Sequence, residues 1–176
     1  MPKLVTVKRQ GSEIEKAQEY VKTHMLFPSS VLGLICVVSS AATLIYQFVT
    51  DSYGANALAE TTGLLAAGMV LGWGQTRYHH YLLHEFPWYF ASKMRTFERR
   101  GPARSKKDVL VLDHRGRAIV PLAYAAGTGV LFALSMWSYM AGHVANVAAF
   151  LMPWAGFFWA KLFFWRKVLS EVKGEK

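Results

Sequence analysis

Apolar residues concentrate in four long stretches of the chain, and the polar residues fall between them. Residues 26–49, 57–76, 118–141 and 144–165 hold only two side chains charged at neutral pH, Glu60 and Lys161. Each stretch is 20 to 24 residues long. A hydrocarbon core about 30 Å thick needs about 20 helical residues, so every stretch is long enough to cross it. The pattern predicts an all-α integral membrane protein. Its four transmembrane helices, 26–49, 57–78, 118–141 and 144–165, are expected to form two antiparallel hairpins. The connection between the third and fourth is as short as Gly142-His143, which leaves no room for any other arrangement of that pair.

A different period precedes the first stretch. In SEIEKAQEYVKTHMLF, residues 12–27, Ser12 and Glu15 stand at capping-box spacing. Ile14, Ala17, Tyr20, Val21 and Met25 then recur on one helical face. The segment 1–25 is therefore expected to be a cytoplasmic or interfacial region whose amphipathic helix lies on the membrane surface and turns into the first span. Pro28 fits only in the first turn of that span. The first apolar run starts about 25 residues in and exceeds a signal peptide's apolar core, so a retained span is expected.

The loop 79–117 starts with an aromatic and histidine-rich run, RYHHYLLHEFPWYF at 77–90, and continues in basic sequence. Gly101-Pro102 breaks any helix there, and DVLVLD at 108–113 has the pattern of a short strand before a turn. Residues 167–176 form a basic tail. Within the spans, Pro153 is expected to kink the fourth, whose aromatic residues at 157–165 suggest an interfacial belt with Lys161 snorkelling toward the headgroups.

Charge then orients the chain. All 20 Lys and Arg lie on one side of the four spans or at that side's helix ends. The opposite connections, near 50–56 and 142–143, hold only Asp51. The positive-inside rule places both termini and the central loop in the cytoplasm or the mitochondrial matrix. A net charge of +9 follows from that bias and suits anionic lipid headgroups, and with no nucleic-acid motif no nucleic-acid partner is expected. A bacterial or mitochondrial inner membrane is the expected location. The one cysteine, Cys36, lies in the first span and closes no intrachain disulfide.

Three groups of residues carry candidate function. Gly68 and Gly72 in the second span, and Ala123 and Gly127 in the third, are small residues at four-residue spacing, a device for close helix packing or partner docking. Asp51, Glu60, His143 and Asn146 are expected to converge as a polar cluster on the outer side. His80 and His84 share a helical face, and with His24 or His114 they are candidate metal ligands on the basic side. No histidine lies inside the first, third or fourth span, so a buried bis-histidine haem has no second helix to draw on. An interfacial belt of histidine and aromatic residues accounts for the run more simply.

No nucleophile–base pair, phosphate loop or dinucleotide fingerprint is present. The expected function is a non-catalytic accessory subunit of a larger membrane complex, with a respiratory or photosynthetic assembly as the type in view. Lipids and other membrane subunits are its expected partners, and no cofactor is required. The alternatives are a cytoplasmic-face metal or haem redox protein using the 79–84 histidines, and a small transporter or channel. The latter would need ionisable groups near the midplane, where only Thr, Ser, Tyr and Pro153 lie.

Overall fold

The computed structural model describes residues 13–50, 52–98 and 119–174. Within them every regular element is a helix and no strand occurs. Five helices follow in order: α1 (Glu13–Val49), α2 (Ala55–Glu85), α3 (Pro87–Glu98), α4 (Ile119–Ala141) and α5 (Asn146–Gly174). The predicted strand at 108–113, His114 and Asp51 lie outside the described residues, as do residues 1–12.

Three helices are long and apolar enough to cross a membrane: Glu13–Val49, Ile119–Ala141 and Asn146–Arg166. That is the make-up of a multi-pass helical membrane protein. α2 is not among these three. This helix has ample length at 31 residues, but Glu60, Gln75, Arg77 and several glycines and threonines stand where larger apolar side chains would be. Two of its threonines, Thr61 and Thr76, are buried against protein, while Thr62 and Arg77 are exposed. Each of the two buried hydroxyls donates to the carbonyl four residues earlier, Ala57 and Gly72 respectively, both at 2.8 Å. This back-bonding satisfies both hydroxyls within the helix.

The reason α2 needs so little bulk is its contact with α5. Gly68 and Gly72 are buried, and a methyl added to either would overlap the backbone of α5 at Pro153 and Phe157. Gly156 returns the contact, since its own methyl would overlap the Leu65 carbonyl. The two backbones therefore touch over about two turns, which only glycine allows. Pro153 is fully buried here, and α5 is assigned as one helix through it.

Around this pair the other helices are arranged on α5. α1 packs on α5 at Gly33, where a methyl would come within 2.9 Å of Phe158 Cβ. α4 packs chiefly on α5 as well, with Phe132 meeting Phe150 and Trp154 at ring distances of 5.8 and 5.7 Å. α1 and α2, though consecutive, come together chiefly near their two ends, where Ala17 and Val21 pack with Leu82 and where Leu44 packs on the cluster that includes Ala57. α5 packs on both helices of the first expected hairpin.

The bundle has two distinct ends. At one, the ends of α1, α2, α4 and α5 meet around short connections, and Gly142 with φ of 71° turns the chain between α4 and α5. Only glycine takes that backbone without strain. At the other, α1 runs unbroken through residues 13–20, with a widened π turn at Val21–Leu26. Pro28 offers no N–H to the His24 carbonyl, and the wide turn just before it accommodates the ring. Part of the apolar face of this segment is buried on protein, where Ala17 and Val21 pack with Leu82, Phe90 and Trp165, while Ile14 of the same face is exposed. α2 likewise continues past 78 to Glu85, so the histidine run is helical, and Pro87 then forces Phe86 out of the helix and opens α3.

Gly68→Ala and Gly156→Ala will each destabilise the purified protein by about 1–3 kcal/mol through overpacking. Gly63, which has nothing within 4 Å of a built Cβ, will gain about 0.5–1 kcal/mol when changed to Ala. Thermal unfolding in one detergent reads both signs.

Candidate functional site

At the turn end, a polar network ties three helices together. Gln47 of α1 is buried and clamps the α4–α5 connection. Its Nε2 donates to the His143 carbonyl at 3.3 Å, and its Oε1 accepts the Ala145 N–H at 3.0 Å. Glu60 of α2 accepts from Ser138 Oγ of α4 at 3.0 Å and lies 2.5 Å from His143 Nδ1. Tyr53 adds a hydroxyl contact to Thr61 at 3.3 Å.

Of the four residues grouped by sequence, the structure brings together Glu60 and His143. Asn146 instead borders a separate cavity of about 360 Å³ between α4 and α5, beside Ser135. Gln47 and Ser138 complete the network and were not singled out by sequence. The available signal was their type: an amide and a hydroxyl inside apolar runs must find partners when buried. Glu60 and His143 are held in the turn region, with the His143 side chain 47% exposed, and the pair fastens loops.

The opposite, basic end is built differently. A cleft of about 720 Å³ separates α2 from α4 and is floored by α5. Ala123 and Gly127 line its α4 wall, and Gly74 and Gln75 its α2 wall. Trp154 and Phe157 form the floor. Gly74 has open space around a built Cβ, and Gly127 meets only Leu71 at 3.5 Å. The small residues of α4 therefore keep a cleft open, whereas Gly68 and Gly72 close a contact inside the chain.

Polar groups gather at one end of the cleft. The Tyr124 hydroxyl lies 3.3 Å from His79 Nε2. His79 Nδ1 and the Gln75 side-chain oxygen are buried without a partner, and so is the indole N–H of Trp165 on α5. Lys161, one helical turn beyond Phe157 on α5, is only 9% exposed, so it is buried in the bundle and does not snorkel outward. Among the described residues no carboxylate pairs with it. Lys161 and Lys93 both stand near enough to His79 to act on it electrostatically. Arg77 lies over the Trp73 ring at 5.8 Å.

The candidate metal ligands are dispersed. His80 and His84 project from exposed positions of α2, and His84 sits 3.9 Å from Glu85. His24 stacks on Tyr20 in α1 with a ring distance of 5.1 Å. Among the described residues no group of three His, Cys, Asp or Glu side chains is placed to hold a metal ion. The aromatic residues beside them pack on one another, Phe86 with Tyr81 and Trp88 at 6.3 and 6.4 Å.

No family model, curated protein or solved structure matches this chain. Its function has to be argued from the arrangement itself.

Gln47→Ala will leave the Ala145 N–H and the His143 carbonyl without their partner at a cost of about 1–3 kcal/mol. Faster proteolysis between 142 and 145, alongside lower thermal stability, is the expected readout.

Proposed function

We propose that this protein is a non-catalytic accessory subunit that packs within a larger membrane complex. One observation carries the reading. The outer face of α4 presents Ala125, Gly129 and Ala133, small residues at four-residue spacing, all exposed. A Cβ built on Gly129 meets nothing within 4 Å, and only 11% of the α4 span is buried within the chain. A face meant for lipid alone gains nothing from glycine, which costs about 1 kcal/mol of helix stability relative to alanine. A face meant for another helix gains close backbone approach, the main source of association in lipid. The same chain uses glycine in that way between α2 and α5.

The reading includes four spans, with α2 as the fourth, shielded by α5 along its glycine face. Both termini and the central loop lie on the cytoplasmic or matrix side, in the inner membrane of a bacterium or mitochondrion. The one-sided Lys and Arg distribution supports that orientation. Glu60, the one acidic residue in the spans, is engaged near the turn end with Ser138 and His143, which gives a transporter reading little to work with.

Two measurements test the proposal. In a Cys36→Ser background, Ser52→Cys and Ser105→Cys will react from opposite faces of sealed membranes, with Ser105→Cys on the inner side. Reaction of both from one face rejects the topology. Gly129→Leu will leave the isolated chain as stable as before, because the position is open. It will weaken association with a partner helix by about 1–2 kcal/mol, releasing the chain from its complex on a native gel. Co-migration of the variant with an unchanged assembly defeats the docking assignment.

A further inference from the structure

We propose that the cleft between α2 and α4 is a binding site for one acidic glycerophospholipid, with its phosphate at the Lys161–His79 end and an acyl chain along the apolar length. The three walls change character in the same direction. On α5 the floor is Trp154 and Phe157, and the buried Lys161 follows one turn beyond the lining on the same helical face. On α2 the wall passes from Leu71 to Gln75, and on α4 from Leu131 and Gly127 to Tyr124. An amphiphile with one polar end matches that gradient.

The charge at the polar end selects its sign. Burying an ammonium without a counter-ion is strongly unfavourable in a low-dielectric interior. Lys161 is in that position, 9% exposed and unpaired among the described residues. The Trp165 indole, on the same α5 face one turn further, has a buried N–H donor with no acceptor. His79 Nδ1 is a third buried group without a partner, the Gln75 oxygen on the α2 wall is an unpartnered acceptor, and Arg77 lies over Trp73 of the same wall. A phosphate diester supplies acceptor oxygens to the ammonium and the indole N–H, and a hydroxyl of a glycerol headgroup can donate to the Gln75 oxygen.

Depth and size fit as well. Lys161 lies five residues inside Arg166, where the apolar span ends, or about 7.5 Å along the axis at 1.5 Å per residue. That is the level at which phosphate and ester groups meet the acyl region. A volume of about 720 Å³ falls in the usual range for small-molecule sites, about 300–1,000 Å³.

Native mass spectrometry of the full chain, released from detergent with dioleoyl phosphatidylglycerol or dioleoyl phosphatidylcholine, tests the assignment. The expected result is one phosphatidylglycerol retained per chain and at least a tenfold preference over phosphatidylcholine. Lys161→Met will erase the preference, and in lipid-free detergent it will raise the melting temperature by removing an unpaired buried charge. Gly74→Leu, which fills the open cleft without touching the charged end, will reduce retention of phosphatidylglycerol at least tenfold. Equal retention of both lipids by the unaltered chain overturns the proposal. So does undiminished retention by a folded Gly74→Leu variant, or an unchanged lipid preference in Lys161→Met.

Discussion

The backbone contact between α2 and α5 is the constraint from which the arrangement of the other helices follows. Lipid is as apolar as leucine, so helices in a bilayer gain little from burying apolar side chains on one another. What they gain is van der Waals contact and hydrogen bonding, and both improve when backbones come close. Gly68 and Gly72 from one side and Gly156 from the other remove the side chains that would hold these two helices apart. With α2 seated this deeply, its face carrying Thr61, Gly68, Gly72 and Thr76 lies against protein and needs no large apolar side chains. α5 is then left at the centre, offering Phe158 to α1 and Trp154 to α4.

The two ends of the bundle solve different problems. At the turn end the helix termini and loops leave backbone groups exposed to poor solvent, and side chains supply the missing partners. Gln47 answers both a carbonyl and an N–H of the α4–α5 connection, and Glu60 accepts from Ser138. At the basic end a buried ammonium, an indole N–H, the Gln75 oxygen and His79 Nδ1 have no partner among the described residues. Stable proteins rarely leave such groups unpaired.

Much of this was legible from residue types, and the failures have physical causes. Helical character and the apolar stretches follow from composition and period alone, because a 20-residue apolar run has few other fates. The glycine spacing at Gly68 and Gly72 marked a contact face but not its partner, since Gly156 sits far along the chain beside Pro153 and only the fold juxtaposes them. Residues 12–27 have an amphipathic period, which reports a two-sided helix without saying whether lipid or protein covers the apolar side. Here Leu82, Phe90 and Trp165 cover part of it. Lys161 misled for a related reason. A lysine near a span's end ordinarily reaches for the headgroups, but position 161 falls on the inward face of α5, a matter of helix rotation set by the glycine contact.

α4 is where these consequences meet. It is held mainly by aromatic contacts to α5 and stands off from α2 across the cleft. On a helix with 3.6 residues per turn, positions two apart point in nearly opposite directions. Ala123 and Gly127 face the cleft, so Ala125 and Gly129 face away from the bundle. A lipid lodged between α2 and α4 would make contact with both walls and fix the rotation of α4. The small-residue stripe on the far side would then be presented at one angle to a neighbouring helix. In this arrangement lipid occupancy and subunit docking become linked through a single weakly held helix, without either ligand touching the other. Such linkage is reciprocal: a partner that prefers the fixed rotation must tighten the lipid by the same factor as the lipid tightens the partner.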